Sequence, residues 1–366
     1  MFEESVMFED ENLSGIHAGL KRKQRLDRSS GLQILQSKDI LGLGRSADEV
    51  RRRKVGRTVT FVGNFHVCYT NVCKNHCRGC TFRKDSADPE AFTLDPGEIK
   101  SLARECRKSG VPEILILGGI NPELKFNFFI EVLEQIIKVI PEILVLGFSP
   151  VEIDHFSKET GTSVGGILKT LKGCGLAAIT GGGAEIFSPR VRKLLGCEEK
   201  ISGDRWLEIM EEAHVSRIRS NASIMYGAGE TMDERLDHLE RIREVQDRTG
   251  GFTHILPFAY TDPSSLASTT GFDDMKMIAL CRLYLDNFDH VRASWSNLGL
   301  KGAQIALSFG ADDLNGLRQK GRIIHSSGGQ PPSSTTKEAM ISLIRECGRI
   351  PAQRDILFNI VKTYEG

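Results

Sequence analysis

From Thr58 onwards, short runs of apolar or β-branched residues alternate with longer segments of helical periodicity. The runs end in glycine or polar residues, and their apolar content is typical of parallel strands buried on both faces. The predicted strands lie at 59–62 (continuing to 67), 114–117, 143–146, 177–179, 220–225, 254–258, 291–294 and 304–307. Helices are predicted between them at 95–109, 126–139, 164–174, 203–215, 233–248 and 273–287. Eight strand–helix units predict an α/β fold, a (β/α)8 barrel of the TIM type.

The barrel is predicted to span residues 58–325, with an addition at each end. Residues 1–57 are polar with a helical pattern and predict an N-terminal helical extension packed on the barrel. Within it, Ser46-Ala-Asp-Glu49 has the form of a capping box and predicts the start of a helix. Residues 326–366 predict a C-terminal helical segment that also packs on the barrel.

Composition narrows the possible partners. The 48 basic and 48 acidic residues give a formal net charge of zero, which does not favour nucleic acid or an anionic membrane surface. The N-terminus lacks the basic and apolar regions of a signal peptide, and no apolar run reaches the length of a membrane span. We therefore expect a cytoplasmic protein that acts on a small molecule, without nucleic-acid or membrane partners.

Three of the nine cysteines, Cys73, Cys77 and Cys80, crowd one loop after the first predicted strand. This distribution fits a reducing compartment better than a secreted disulfide framework. Three thiolates spaced C-x3-C-x2-C can bind three corners of a [4Fe–4S] cluster and leave one iron without a protein ligand. The alternatives are a zinc site completed by His76 or Cys68, or three unrelated buried thiols. The cluster is favoured because structural zinc pairs usually come as two separated C-x2-C units.

Other unusual residues follow the predicted strands, at the end of a barrel where functional groups lie. Gly118 and Gly119 end the second strand and let the backbone approach a ligand, although a tight turn is an equal alternative. Thr180-Gly-Gly-Gly-Ala-Glu185 follows the fourth strand. There the backbone can come close to a ribose while Glu185 accepts from two hydroxyls. A glycine-rich turn without a chemical role is the alternative.

The cysteine loop resembles the radical S-adenosylmethionine superfamily, whose signature is this spacing. The resemblance implies a [4Fe–4S] cluster on the three cysteines, S-adenosylmethionine as co-substrate, and an external low-potential electron donor. It also implies that Gly118 and Gly119 lie along the methionine amino group. Gly79 is a departure, because the superfamily usually has an aromatic residue before the last cysteine.

The stretch after the fifth predicted strand is similar to the superfamily's strand-end motif near the adenine. Ser223, Met225, Gly227 and Glu230 stand at its four positions. The resemblance therefore makes Ser223, Met225 and Glu230 expected cofactor contacts, although Glu230 in isolation is also typical of a helix cap.

Several blocks between about residues 31 and 364 resemble the menaquinone (futalosine pathway) and deazaflavin branch of the superfamily. The similarity is closest to the aminofutalosine synthase family, through blocks 119–124 and 186–190. It implies addition of the 5′-deoxyadenosyl radical to 3-[(1-carboxyvinyl)oxy]benzoate. The implied products are 6-amino-6-deoxyfutalosine, methionine and bicarbonate.

Departures from that family concentrate around the expected substrate pocket. Cys68, Thr180 and Ala228 stand where the family usually has Asn, Pro and His. They leave the exact substrate open while leaving the cluster motif intact.

The expected substrate carries two carboxylates, which call for basic or hydroxyl donors. His66, Asn221 and Arg292 are the predicted substrate contacts. Arg292 is favoured over Arg219 and Arg354 because it lies on a late strand.

Three other functions remain open at this point. Cyclic dehypoxanthine futalosine synthase is favoured by Tyr69-Thr-Asn71 and by blocks 282–286 and 351–355. The hydroxybenzyl-adding subunit of deazaflavin synthesis is a third relative. A zinc-stabilised α/β scaffold without catalysis belongs to a different class altogether, and iron analysis separates it from the enzymes.

Overall fold

The computed structural model describes residues 8–260, 269–318 and 335–365. Eight parallel strands form a closed barrel, because the first strand pairs with both the second and the eighth. The strands are β1 (Thr58–Cys68), β2 (Glu113–Leu117), β3 (Leu144–Gly147), β4 (Leu176–Ile179), β5 (Arg219–Tyr226), β6 (Phe252–Ala259), β7 (His290–Ala293) and β8 (Asp313–Arg318). The predicted (β/α)8 barrel is thus confirmed.

Helices cover the outside of this barrel and precede it. They are α1 (Glu11–Lys21), α2 (Arg28–Gln36), α3 (Ile40–Val55), α4 (Pro96–Ser109), α5 (Phe126–Val139), α6 (Pro150–Thr160), α7 (Val164–Gly173), α8 (Pro189–Leu194), α9 (Gly203–Val215), α10 (Met232–Thr249), α11 (Gly271–Tyr284), α12 (Trp295–Ala306) and α13 (Lys337–Glu346). All six predicted interstrand helices occur, with ends that differ by at most three residues. In the described residues, none of these helices is both long and apolar enough to cross a membrane.

The eighth predicted strand was wrong. Residues 304–306 belong to α12 and Leu307 caps it, whereas the eighth strand is β8. The run is apolar on one helical face only: Ala303, Ala306 and Leu307 are buried, and Ile305 is 54% exposed. That 3.6-residue pattern marks an amphipathic helix, and four residues were too few to distinguish it from a strand.

The N-terminal extension is helical, but its third helix begins earlier than predicted. Asp39 caps α3 by accepting from the Gly42 amide, so Ser46 lies inside the helix and opens none. The Ser46 hydroxyl instead bonds His17 Nδ1 at 3.0 Å, which joins α3 to α1. An ion pair between Arg25 and Asp247, at 2.6 Å, ties the extension to α10.

The C-terminal segment is only partly helical. The predicted boundary at 325/326 lies outside the described residues, and within them α13 is followed by β9 (Ile350–Arg354) and β10 (Ile360–Thr363). Strand β9 runs parallel to the first half of β1, and β10 pairs antiparallel with β9. This hairpin therefore covers the amino end of the barrel, where the Phe358 ring stacks on His290 with centroids 4.1 Å apart.

One buried carboxylate joins this hairpin to the barrel. Asp313 accepts from Arg354 at 2.7 and 2.8 Å, from Arg292 at 2.6 Å and from Thr60 at 2.7 Å. Burial alone would raise the pKa of Asp313, but the two guanidinium groups hold it well below its usual range. Four elements, β1, β7, β8 and β9, thus depend on one ionised side chain.

Replacing Asp313 with Asn should destabilise the fold by about 3–5 kcal/mol, because two buried guanidinium groups would lose their counter-charge. Urea denaturation of the purified variant measures this loss. Asp289→Asn is the matched control: its side chain is 77% exposed and pairs with Lys54, so its loss should stay below about 1 kcal/mol. Equal losses in the two variants would contradict a special role for Asp313.

Candidate active site

A cavity of about 490 Å³ opens inside the barrel at the carboxyl ends of the strands. Every strand of the barrel, or the loop directly after it, contributes to its wall. A lumen enclosed in this way can hold two small molecules in fixed orientation and keep bulk water out. The cysteine loop lies at its mouth, directly after β1.

All three predicted cluster ligands, Cys73, Cys77 and Cys80, are partly exposed and line this cavity. The loop is fixed against the turn after β2: the Gly119 amide donates to Thr70 O at 3.0 Å, and the Ile120 amide donates to Cys73 Sγ at 3.3 Å. Backbone N–H groups aimed at sulfur are typical of sites that hold thiolate-bound clusters.

The turn after β2 accepts the cysteine loop only because it carries glycines. A Cβ atom on Gly119 would lie 2.2 Å from Val72 O and 2.8 Å from Cys73 Cβ. A Cβ atom on Gly118 would lie 2.3 Å from the Tyr69 ring. Close backbone approach is therefore the role of both glycines, and both line the cavity.

Cys73, Cys77 and Cys80 all line this one cavity. Among the residues that the structure describes, no three His, Cys, Asp or Glu side chains converge as ligands of one ion. Separate irons of a cluster can each take one thiolate, which is the ligand set that a C-x3-C-x2-C loop would offer.

The pKa of the Cys77 thiol is lowered by its neighbours. A hydrogen bond with Cys197, opposed by burial and supported by Lys200, lowers the pKa of Cys77 to about 6. The segment after α8 also holds the loop itself, since the Arg78 amide donates to Leu195 O at 2.9 Å. The thiolate is the form of cysteine that binds iron, so these contacts suit a ligand.

Tyr260 explains the unusual glycine before the last cysteine. A Cβ atom on Gly79 would lie 2.7 Å from the Tyr260 ring, which also lines the cavity. The Tyr260 ring therefore occupies the space that a side chain at position 79 would need.

Glu185 lies after β4, where it lines the cavity with its carboxylate ionised. Lys200 Nζ contacts one oxygen at 2.6 Å, and Arg192 contacts the other at 3.5 Å. Burial opposes ionisation, but these two cations lower the pKa of Glu185. Each carboxylate oxygen retains further acceptor capacity, as a ribose would require.

Two of the three cofactor contacts predicted from the strand-end motif after β5 reach the cavity. Ser223 Oγ donates to Gly181 O at 2.7 Å, and the Met225 amide donates to Glu185 O at 2.7 Å. Both residues line the wall.

The side chain of Glu230, the remaining predicted cofactor contact of this motif, lies outside the cavity wall. Its carboxylate accepts from the Gly227 and Ala228 amides at 2.7 and 2.8 Å and pairs with Arg235. The side chain is fully buried in its own loop and is not part of the cavity wall. Glu230 therefore accepts hydrogen bonds from the backbone N–H groups of the loop that precedes α10.

The three predicted substrate contacts, His66, Asn221 and Arg292, all line this cavity, from β1, β5 and β7. Asn221 accepts from the Gly181 amide at 3.0 Å and so supports the glycine-rich turn. Arg292 faces the cavity while its Nε is held by Asp313. Of the other two candidate arginines, Arg219 is exposed at the start of β5 and Arg354 is buried below the cavity.

The departures from the family pattern are distributed unevenly. Thr180 lines the cavity, but Cys68 and Ala228 do not. The differences at Cys68 and Ala228 therefore do not alter the cavity wall that would contact a substrate.

Two groups of the site were not predicted as such. Lys200 lines the cavity beside Glu185 and Cys77, fifteen residues after the carboxylate that it pairs with. Glu152 lines it as well and accepts from the Tyr69 hydroxyl at 2.6 Å. Neither pair has a periodic spacing, so no local pattern in the sequence joins its members.

Comparison with known proteins agrees with this site. A model of the radical SAM superfamily matches residues 67–242, and a model of the CofH/MqnC C-terminal region matches residues 250–365. The chain is 36% identical over 364 residues to the aminodeoxyfutalosine synthase of Thermus thermophilus, covering 97% of this chain and 98% of that protein. It is 36% identical over 349 residues to the 5-amino-6-(D-ribitylamino)uracil--L-tyrosine 4-hydroxyphenyl transferase of Methanopyrus kandleri, covering 93% and 94%. The crystal structure of methylornithine synthase (PylB) matches with a TM-score of 0.72 over 92% of this chain and 97% of that chain; at 15% identity this shows the fold alone.

Replacing Gly119 with Ala should sharply reduce iron content after anaerobic reconstitution, because the added methyl group collides with the cysteine loop. Iron and sulfide analysis measures this. Gly173→Ala is the matched control, since no atom lies within 4 Å of its added Cβ. Full iron content in the Gly119 variant would show that the loop can move away without losing the site.

Proposed function

Because the chain belongs to the radical SAM superfamily, and to its branch with the CofH/MqnC C-terminal region, we propose that it is an aminodeoxyfutalosine synthase. Membership of the superfamily brings a [4Fe–4S] cluster and S-adenosylmethionine as cofactors. The observation that supports this proposal most is the similarity to the Thermus thermophilus enzyme over nearly the full length of both chains. The substrate is then 3-[(1-carboxyvinyl)oxy]benzoate, and the products are 6-amino-6-deoxyfutalosine, methionine and bicarbonate.

In this proposal the mouth of the cavity holds the cofactors. Cys73, Cys77 and Cys80 bind the cluster. When bound and reduced, the cluster and S-adenosylmethionine supply the 5′-deoxyadenosyl radical that adds to the vinyl carbon. Gly118 and Gly119 allow the methionine amino group to approach the backbone.

The same wall orients the nucleoside part of S-adenosylmethionine. Glu185 accepts hydrogen bonds from the ribose hydroxyls, and Lys200 keeps that carboxylate ionised and in place. Ser223 and Met225 flank the adenine. The role of these residues is positioning, because a radical formed out of line would meet other C–H bonds before the alkene.

The deeper part of the cavity holds the substrate. His66 and Asn221 flank it, and Arg292 donates to one of its carboxylates, with Asp313 fixing the guanidinium plane. The reductant is an external low-potential donor, the protein works in the cytoplasm, and nucleic acid has no part in the reaction.

Transfer of a hydroxyphenyl group is the second candidate, because identity to the Methanopyrus kandleri transferase is the same 36%. Cyclic dehypoxanthine futalosine synthase is a third, since the matching C-terminal model also describes that branch.

Anaerobically reconstituted protein given S-adenosylmethionine, dithionite and 3-[(1-carboxyvinyl)oxy]benzoate should yield 6-amino-6-deoxyfutalosine, identified by mass. Parallel reactions with dehypoxanthine futalosine, and with tyrosine plus ribitylaminouracil, should yield no adduct or cyclised product. Product in either of these reactions, without any in the first, would replace the proposed function with the corresponding alternative.

Replacing Cys77 with Ser in this assay should abolish product and remove most of the iron, since one cluster ligand is lost. Cys174→Ser, at the C-terminal cap of α7 and outside the cavity wall, should keep both the product and the iron. Zinc in place of iron in the wild type would end the enzymatic interpretation.

Replacing Glu185 with Gln should weaken S-adenosylmethionine binding roughly tenfold or more, because charge-assisted hydrogen bonds to the ribose are lost. Equilibrium binding to the reconstituted variant measures this, with iron content determined on the same sample. A parallel loss of iron would assign Glu185 to the support of the cysteine loop instead.

A further inference from the structure

The floor of the cavity is a layer of buried charged side chains. Along a strand, alternate residues face the same side. On β2, Leu115 and Leu117 line the cavity, so Glu113 faces the lumen one step deeper. By the same alternation His254 lies below Leu256 on β6. Glu113 is 2% exposed and His254 is 5% exposed, so both are enclosed by protein.

Two atoms of this layer have no hydrogen-bond partner among the described residues: Glu113 Oε2 and His254 Nε2. Buried polar atoms in folded proteins are nearly always paired. An unpaired carboxyl oxygen close to two guanidinium groups indicates that Glu113 can gain or lose a proton. It also indicates that the layer can bind a further charged group.

The charges of the floor can be counted. Arg292 and Arg354 are positive, and Asp313 and Glu113 are the carboxylates that they face. When Glu113 is ionised, the net charge of the layer is zero. A ligand carboxylate that bound to Arg292 would then add a buried negative charge without a partner, which is energetically costly. With Glu113 protonated the layer carries one positive charge, which a carboxylate from the cavity can balance.

We propose that Arg292 binds one carboxylate of the substrate, and that the proton on Glu113 controls the affinity of this site. When Glu113 is protonated, the floor carries a positive charge and binds the carboxylate tightly. When Glu113 is ionised, the floor is neutral and the affinity for the carboxylate falls. Glu113 itself does not line the cavity and acts on the ligand through Arg292. This inference rests on the proposed function, because it names a carboxylate of that substrate as the ligand.

The surroundings of Glu113 support this assignment. Burial raises the pKa of Glu113 to about 8, against the opposing effects of Arg354 and Arg292 and with Asp313 and Asp355 adding to the rise. The neighbouring strand β1 presents the uncharged Asn64 beside it.

The other ionisable groups near the layer have partners of their own. The Asp355 carboxylate accepts from the Leu357 and Asn359 amides in the hairpin loop, so it is not counted in the layer. Burial lowers the pKa of His254, which keeps its imidazole neutral. His290 and Arg282 both contact Asp312, so that group of charges is balanced separately.

The test is isothermal titration of the reconstituted enzyme with 3-[(1-carboxyvinyl)oxy]benzoate across a pH series. The carboxylates of this ligand are ionised throughout the range. Its Kd should be constant at neutral pH and rise about tenfold per pH unit above the pKa of Glu113, since binding then requires proton uptake. At about pH 9, buffers of different ionisation enthalpy should report uptake approaching one proton per ligand.

Glu113→Gln mimics the protonated carboxyl at every pH. Its Kd should equal the neutral-pH value of the wild type, show no rise with pH, and involve no proton uptake. Arg292→Gln should bind at least roughly tenfold more weakly at neutral pH, because a charge-assisted hydrogen bond is lost. It should also lose the pH dependence, and it provides a second variant if the first folds poorly.

The outcomes separate this inference from the proposed function. Substrate that binds and turns over with a pH-independent Kd, or with the same rise in Glu113→Gln, overturns the inference and leaves the function standing. Failure of this ligand to bind at any pH, together with absence of product, overturns both.

Discussion

The structure depends on one continuous strand, β1, which connects the floor of the barrel to its mouth. Its first half pairs with β9, its middle with β8 and its last residues with β2. After Cys68 the chain passes within five residues to Cys73. The position of the cysteine loop is therefore fixed by the same ladder of hydrogen bonds that closes the barrel and attaches the C-terminal hairpin.

The cavity has paired charges at both ends and apolar wall between them. Near the mouth, Glu185 is neutralised by Lys200 and Arg192. At the floor, Asp313 is neutralised by Arg292 and Arg354. Leucines from several strands line the wall in between. Because buried charges hold their partners strongly, each end of the cavity keeps its geometry.

The sequence predicted the parts of this arrangement whose signals are local. Seven strands coincide with short runs rich in apolar or β-branched residues, and the three cysteines stand within eight residues of one another. Strand β8 was missed because its lumen-facing residues Asp313 and Asn315 are polar, which weakens the apolar signal. The hairpin was missed because β9 contains Pro351, which is uncommon inside a strand, and β10 has only four residues.

Contacts between distant segments could not be predicted either. Glu230 stands at a position of the motif, but its carboxylate is buried against the Gly227 and Ala228 amides of its own loop and does not reach the cavity. Lys200 and Tyr260 entered the site from loops whose sequence gives no sign of the cysteines that they approach. Such contacts depend on how the barrel closes, and that is not encoded in any short window.

The two matched regions of the chain divide the cavity between them. The cysteines, Gly118–Gly119 and Glu185 lie within residues 67–242, whereas Arg292 and the lining residues of β6 to β8 lie within residues 250–365. A barrel shared with proteins at 15% identity cannot by itself select a substrate. Under the proposed function, the substrate meets side chains from both regions: Asn221 from the first, and Arg292, held by Asp313, from the second.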